Sequence, residues 1–177
     1  MIDTLRFRRG TISDAQAILT LIESAFRGDS SRQGWTTEAD MLEGQRTDLA
    51  EVSGLLERAD TYFVMAEQNE TLLGNVCLTV HDRITHLGMF AVQPSQQSSG
   101  LGRALLQRAE QVARTELAAE VMEMSVIAQR TELLAWYVRR GYVATGEVRP
   151  FPYGDERVLP QRDDLHFLVL SKKLTAA

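Results

Sequence analysis

Residues Met89–Leu106 read MFAVQPSQQSSGLGRALL. An apolar strand ends, Pro94 enforces a turn, and Gln97-Ser98-Ser99-Gly100-Leu101-Gly102 leads into a helix. Leu101, Ala104, Leu105, Ala109, Val112, Ala113 and Leu117 recur at three- and four-residue spacing, which predicts a long amphipathic helix. The first amides of a helix have no partner within it, and the helix dipole adds partial positive charge at that end. Glycines there let the backbone take positive φ and approach an anion closely. The segment is therefore a candidate anion cradle, to which Ser98 and Ser99 would add hydroxyls and Arg103 a cation. There is no Gly-Lys-Ser/Thr, which excludes a P-loop. The glycine spacing and late position argue against a Rossmann dinucleotide site. Gly-x-Gly also serves helix packing, so the loop by itself does not decide function.

Working outward, Leu5–Arg9 reads as a short strand and Ala15–Phe26 as a helix with Ile18, Leu21, Ile22 and Ala25 inward. A second helical stretch is expected at Glu38–Gln45 and a third at Leu49–Arg58. Thr61–Gln68 and Leu72–Val80, joined by a polar turn, predict a hairpin, followed by a strand at Ile84–Val92. After the long helix come a strand at Val121–Ala128, a helix at Thr131–Arg140 stopped by Gly141, and strands at Tyr142–Arg149 and Leu165–Lys172. Pro150–Gln161 reads as a long loop. No linker or repeat interrupts this pattern, so residues 1–177 are expected to form one α/β domain with mixed strand pairing.

The chain has 177 residues, 44% hydrophobic and 24% charged, enough for a conventional core. Its net charge of −5 disfavours broad capture of nucleic acid or an anionic membrane. MIDTLRFRRG lacks an apolar core of signal-peptide length. No stretch approaches the roughly 20 apolar residues of a membrane span, and a cytoplasmic protein is expected. Cys77, the one cysteine, reads as a small buried hydrophobe. The three histidines are scattered, and no metal site is expected.

The Gln97, Gly100 and Gly102 pattern resembles the acyl-CoA-binding motif of GNAT acetyltransferases, Gln/Arg-x-x-Gly-x-Gly/Ala. Leu134–Tyr142, with Trp136-Tyr137 and Gly141-Tyr142, resembles the family's second motif, and the element order also matches. The resemblance covers nearly the whole chain and implies a bacterial, acetyl-CoA-dependent N-acetyltransferase. The implied fold is a mostly antiparallel sheet of six to seven strands with a splayed central pair, flanked by about four helices. Backbone amides of Ser98, Ser99, Gly100, Leu101, Gly102 and Arg103 would then hold the CoA pyrophosphate, and the strand at Phe90, Ala91 and Val92 the pantetheine arm.

By the same resemblance Tyr137 matches the tyrosine that protonates the departing thiolate. A phenol, with a reference pKa near 10, is protonated at neutral pH. The glutamate that many relatives carry on the motif strand is missing. His86 stands near its position and is a competent base, though a strand histidine also serves structure. Arg130 replaces the asparagine that often opens the second motif, where it would contact the cofactor. The acceptor, a small-molecule or peptide amine, is expected near Trp35 and Glu38, with His166 a weaker candidate. Carboxylates there would bind an ammonium group, although the same charges also read as solvated surface. The family often dimerises, so a homodimer is compatible. The alternative readings are a non-catalytic acyl-CoA-binding module and an unrelated α/β binding domain.

Overall fold

The structure, a computed structural model, describes residues 4–175; residues 1–3 and 176–177 of the expected domain lie outside the described residues. In chain order the elements are β1 (Arg6–Arg9), α1 (Ala15–Phe26), α2 (Gly28–Ser31), β2 (Leu42–Gly44), α3 (Leu49–Glu57), β3 (Thr61–Gln68), β4 (Thr71–His81), β5 (Ile84–Val92), α4 (Leu101–Thr115), β6 (Val121–Ile127), α5 (Thr131–Val138), β7 (Val143–Pro150), β8 (Val158–Pro160) and β9 (His166–Lys173). Seven strands form one sheet in the order β1-β3-β4-β5-β6-β9-β7, in which β5–β6 is the parallel pair. This is the mixed, mostly antiparallel α/β architecture expected from the sequence.

The sheet is covered on both faces, and strand alternation sorts the side chains between them. On one face Tyr62, Val64, Val76 and Leu78 pack with Leu105, Leu106, Ala109 and Val112 of α4. On the other, Phe63, Met65 and Cys77 meet Ile18 and Ile22 of α1 and Val52 of α3. Burial pushes the Cys77 thiol up to about 12, which suits packing rather than nucleophilic attack.

One expected element is absent. Glu38–Gln45 is not a helix: Met41 N and Leu42 N bond to the Glu38 carbonyl in a single turn. The chain then enters β2, which pairs with β8 inside the stretch read as a loop. Tertiary structure overrides local propensity here. Leu42 packs with Ile127, Phe151 and Leu165, and Gly44, at φ +87, lies so close to Arg157 that a Cβ would sit 2.3 Å from its carbonyl oxygen.

The feature that positions the site is an irregularity in β5. Cys77 pairs with Gly88 and Asn75 with Ala91, so Val76 opposes both Met89 and Phe90. This is a β-bulge, with Met89 at φ 48. Fully buried Asn75 donates Nδ2–H to the Met89 carbonyl at 2.8 Å. The extra residue shifts the alternation: Leu87, Phe90 and Val92 face α4, whereas Met89 and Ala91 face α1. On its other side β5 pairs with β6 only at Ile84↔Val121, Thr85↔Met122 and His86↔Glu123. Beyond His86 the two strands part, and β6 continues on β9 as far as Ile127↔Phe167. The splayed pair implied by the resemblance is thus present, and the bulge lies on its open arm.

Asn75→Ala would leave the buried Met89 carbonyl without its donor. The expected cost is about 1–3 kcal/mol, seen as a lower urea midpoint at unchanged slope; an unchanged midpoint would contradict this role.

Candidate active site

The loop after β5 turns through two left-handed residues, Ser98 (φ 68) and Gly100 (φ 90). Gly100 is the N-cap of α4 and has no side-chain cap bond. Gln97 fastens the loop to β5, its Nε2–H reaching the Val92 carbonyl at 3.3 Å. It also packs on Gly34, where a Cβ would lie 2.0 Å from Gln97 Oε1. Ser99 N bonds to the Gln96 carbonyl, and Ala104 N to the Gly100 carbonyl. The N–H groups of Ser98, Gly100, Gly102 and Arg103 have no protein acceptor among the described residues. A Cβ on Gly102 would meet only ordinary contacts, Trp136 Cζ2 at 3.8 Å and Val92 Cγ2 at 3.9 Å. Protein packing therefore does not demand glycine there, whereas a close anion would. The arrangement fits a diphosphate resting on a helix N-terminus.

A cavity of about 970 Å³ runs from this cradle into the opening between β5 and β6. Ser98, Gly100, Gly102, Arg103, Phe90 and Val92 line one part, and His86, Tyr137, Trp35 and Glu38 are also on its wall. Tyr137 is buried among rings, with Trp136 at 5.1 Å, Tyr142 at 5.7 Å and Phe90 at 6.5 Å. Its hydroxyl has no hydrogen-bond partner among the described residues. Burial raises its pKa, partly opposed by the Arg130 charge, so the phenol keeps its proton at neutral pH. His86 sits where β5 and β6 part. Burial lowers its pKa, the Arg149 charge lowers it further, and Glu123 opposes both. Arg149 is held by Glu123 at 3.0 Å and Ser125 at 3.2 Å.

Other expected site residues fall differently. Glu38 lines the cavity, but it is buried and its carboxylate is taken: Arg27 and Arg130 both pair with it, the latter at 3.3 Å. It is not a free anion for an ammonium group. Arg130 is likewise engaged, with Nη2–H on Thr36 Oγ1 at 2.8 Å. Trp35 is partly exposed beside Trp136, their rings 6.5 Å apart. The side chains of Ala91 and Leu101 point into the two cores rather than the cavity, and Ser99 Oγ–H is spent on the Gln96 carbonyl. His166, on β9, is not among the cavity-lining residues. Its ring nitrogen is 3.2 Å from the Asp164 carbonyl. Sequence reading missed Arg27, Arg46 and Arg149, because arginines scattered on a helix end, a loop and a far strand carry no local pattern.

The model of the family described as "Acetyltransferase (GNAT) family" matches residues 16–142. The chain therefore belongs to the GNAT acetyltransferase family and is an acyltransferase. Solved structures of similar fold include a GNAT-family acetyltransferase from Desulfovibrio desulfuricans, at 18% identity and TM-score 0.71 over 97% of this chain and 99% of that one. The ribosomal-protein-S18-alanine N-acetyltransferase of Escherichia coli aligns at 15% identity and TM-score 0.71, covering 98% and 96% of the two chains. A spermidine N-acetyltransferase chimera from Vibrio cholerae and hSSAT aligns at 16% identity and TM-score 0.69, covering 97% and 96%. No curated protein matches the sequence.

The geometry around His86 fixes the sign of its pH effect. With the folded pKa below the usual 6.5, the unfolded chain binds more protons as pH falls below 6.5. Stability from the neutral imidazole is thus full above 6.5 and is lost as pH falls toward the folded pKa. In an NMR titration His86 should titrate below 6.5, and Arg149→Ala should raise that midpoint. A midpoint at or above 6.5 in the unaltered protein would contradict the burial described.

Proposed function

We propose that residues 1–177 form a single-domain, cytoplasmic acetyl-CoA-dependent N-acetyltransferase that moves the acetyl group directly to a primary amine. The observation that carries this reading is the continuity of the four open amides at the α4 N-terminus with the β5–β6 opening and the cavity holding Tyr137 and His86. Among the described residues no helix is long and apolar enough to cross a membrane.

Bound there, acetyl-CoA supplies an activated acyl group and a thiolate leaving group. The amides of Ser98, Gly100, Gly102 and Arg103 hold the diphosphate, and Arg139 and Arg140 add positive charge on the cavity wall. The edge of β5 left free by β6 gives the pantetheine arm a strand to lie along, and its N–H groups polarise the thioester carbonyl. His86, neutral because buried beside Arg149, takes a proton from the acceptor's ammonium group or from a bridging water. Tyr137, protonated and with an unengaged hydroxyl, gives its proton to the departing sulfur.

Acid catalysis of this kind contributes about 10²–10⁴-fold. Tyr137→Phe should therefore lower kcat at least about 100-fold while CoA binding measured by calorimetry stays unchanged; unaltered turnover would remove Tyr137 from the mechanism. Gly100→Val forces a branched side chain into φ 90 at the cradle. It should weaken CoA binding at least tenfold in the same calorimetric measurement, and equal affinity would show that the diphosphate rests elsewhere.

A further inference from the structure

Around Phe26 the cavity wall is cationic, contrary to the expectation drawn from the sequence. Apart from Arg103, Arg139 and Arg140, which serve the cradle, four arginines and three acids line the wall, and each acid has an arginine partner. Glu38 is paired with Arg27 and Arg130. Arg157 lies 3.3 Å from Glu51 and 3.1 Å from Asp155. Every lining carboxylate thus has an arginine partner, with Arg157 shared among Asp48, Glu51 and Asp155.

Two guanidiniums, in contrast, keep unspent donors. Arg27 is 7% exposed and shares the single charge of Glu38 with Arg130, so the buried cluster carries one positive charge in excess. Its Nη1 reaches Glu38 and the Phe26 carbonyl. Its Nη2 has no partner among the described residues and, unlike Nε, is not sealed from the space that Arg27 lines. Arg46 also lines the cavity and lies over the Phe26 ring at 5.4 Å, with no ion pair among the described residues. Both cations therefore flank Phe26 on the cavity wall. Arg103, Arg139 and Arg140 form another group: burial lowers the pKa of Arg140, and the nearby charges of Arg139 and Arg103 lower it further. A cation kept out of water without a full counter-charge is costly. A planar guanidinium with free N–H groups suits a carboxylate.

We propose that the acceptor is a small amine that also bears a carboxylate, an amino acid, and that Arg27 and Arg46 bind the carboxylate while the amine points toward His86. This rests on the N-acetyltransferase reading above and adds the acceptor's second group. Both charges of a zwitterion then meet their complements: the carboxylate finds unspent guanidinium donors, and the ammonium meets a neutral imidazole that can take its proton.

The test is CoA release with matched sets of amino acid, carboxamide and decarboxylated amine. The expected result is a kcat/KM at least tenfold higher for the amino acid in at least one set, and a collapse of that preference in Arg46→Ala with partial recovery in Arg46→Lys. A preference for the amide or the decarboxylated amine in every set would overturn the proposal, as would an amino-acid preference untouched in Arg46→Ala. Should no amine be turned over, calorimetric titration of the CoA-loaded protein decides: tighter binding of an amino acid than of its amide upholds the proposal, and equal or no binding overturns it. Failure of CoA itself to bind would instead remove the acetyltransferase reading.

Discussion

The site depends on the early end of pairing between β5 and β6. After His86↔Glu123 the two strands share no further register, and a sheet that would otherwise close acquires an opening in its middle. Two neighbouring features hold it in place. The bulge at Met89, fixed by the buried amide of Asn75, re-aims the free arm of β5. β6 is meanwhile committed to β9 along its whole length. Backbone groups of β5 that a regular sheet would satisfy internally are thereby left for something else, and unpaired buried backbone groups are expensive enough that such an arrangement calls for a partner.

The same opening explains the chemistry gathered around it. Tyr137 and His86 are buried on the wall of this opening, so charge is costly on either of them. Tyr137 is pushed toward its neutral form and His86 toward its free-base form. These are the states a proton donor and a proton acceptor need at the start of an amine acylation. The helix end at Gly100 adds fixed positive potential from amides that require no counter-ion of their own.

Much of this was legible in the sequence because it rests on local rules. The amphipathic spacing of α4, the Gln97, Gly100 and Gly102 loop and the apolar, β-branched runs of β3 and β4 each announce an element through a local pattern. The elements that defied reading depend on distant partners. Glu38–Gln45 has helical spacing, yet β8 draws Leu42–Gly44 into a strand and two arginines bury Glu38. Glu38, the carboxylate that suggested a cation-binding pocket, is neutralised by arginines distant from it in sequence, above all Arg130. Asn75 was visible as a polar residue in an apolar run, but only its bond to the Met89 carbonyl shows that it holds the bulge.

Amide-resolved NMR during titration with CoA tests the central claim most directly. If the opening and the helix end together form the cofactor site, the Ser98, Gly100, Gly102 and Arg103 amides should shift in concert with those of Phe90 and Val92 as CoA saturates, while β1 and β7 stay still. Saturating CoA that leaves the four loop amides unmoved would contradict the account.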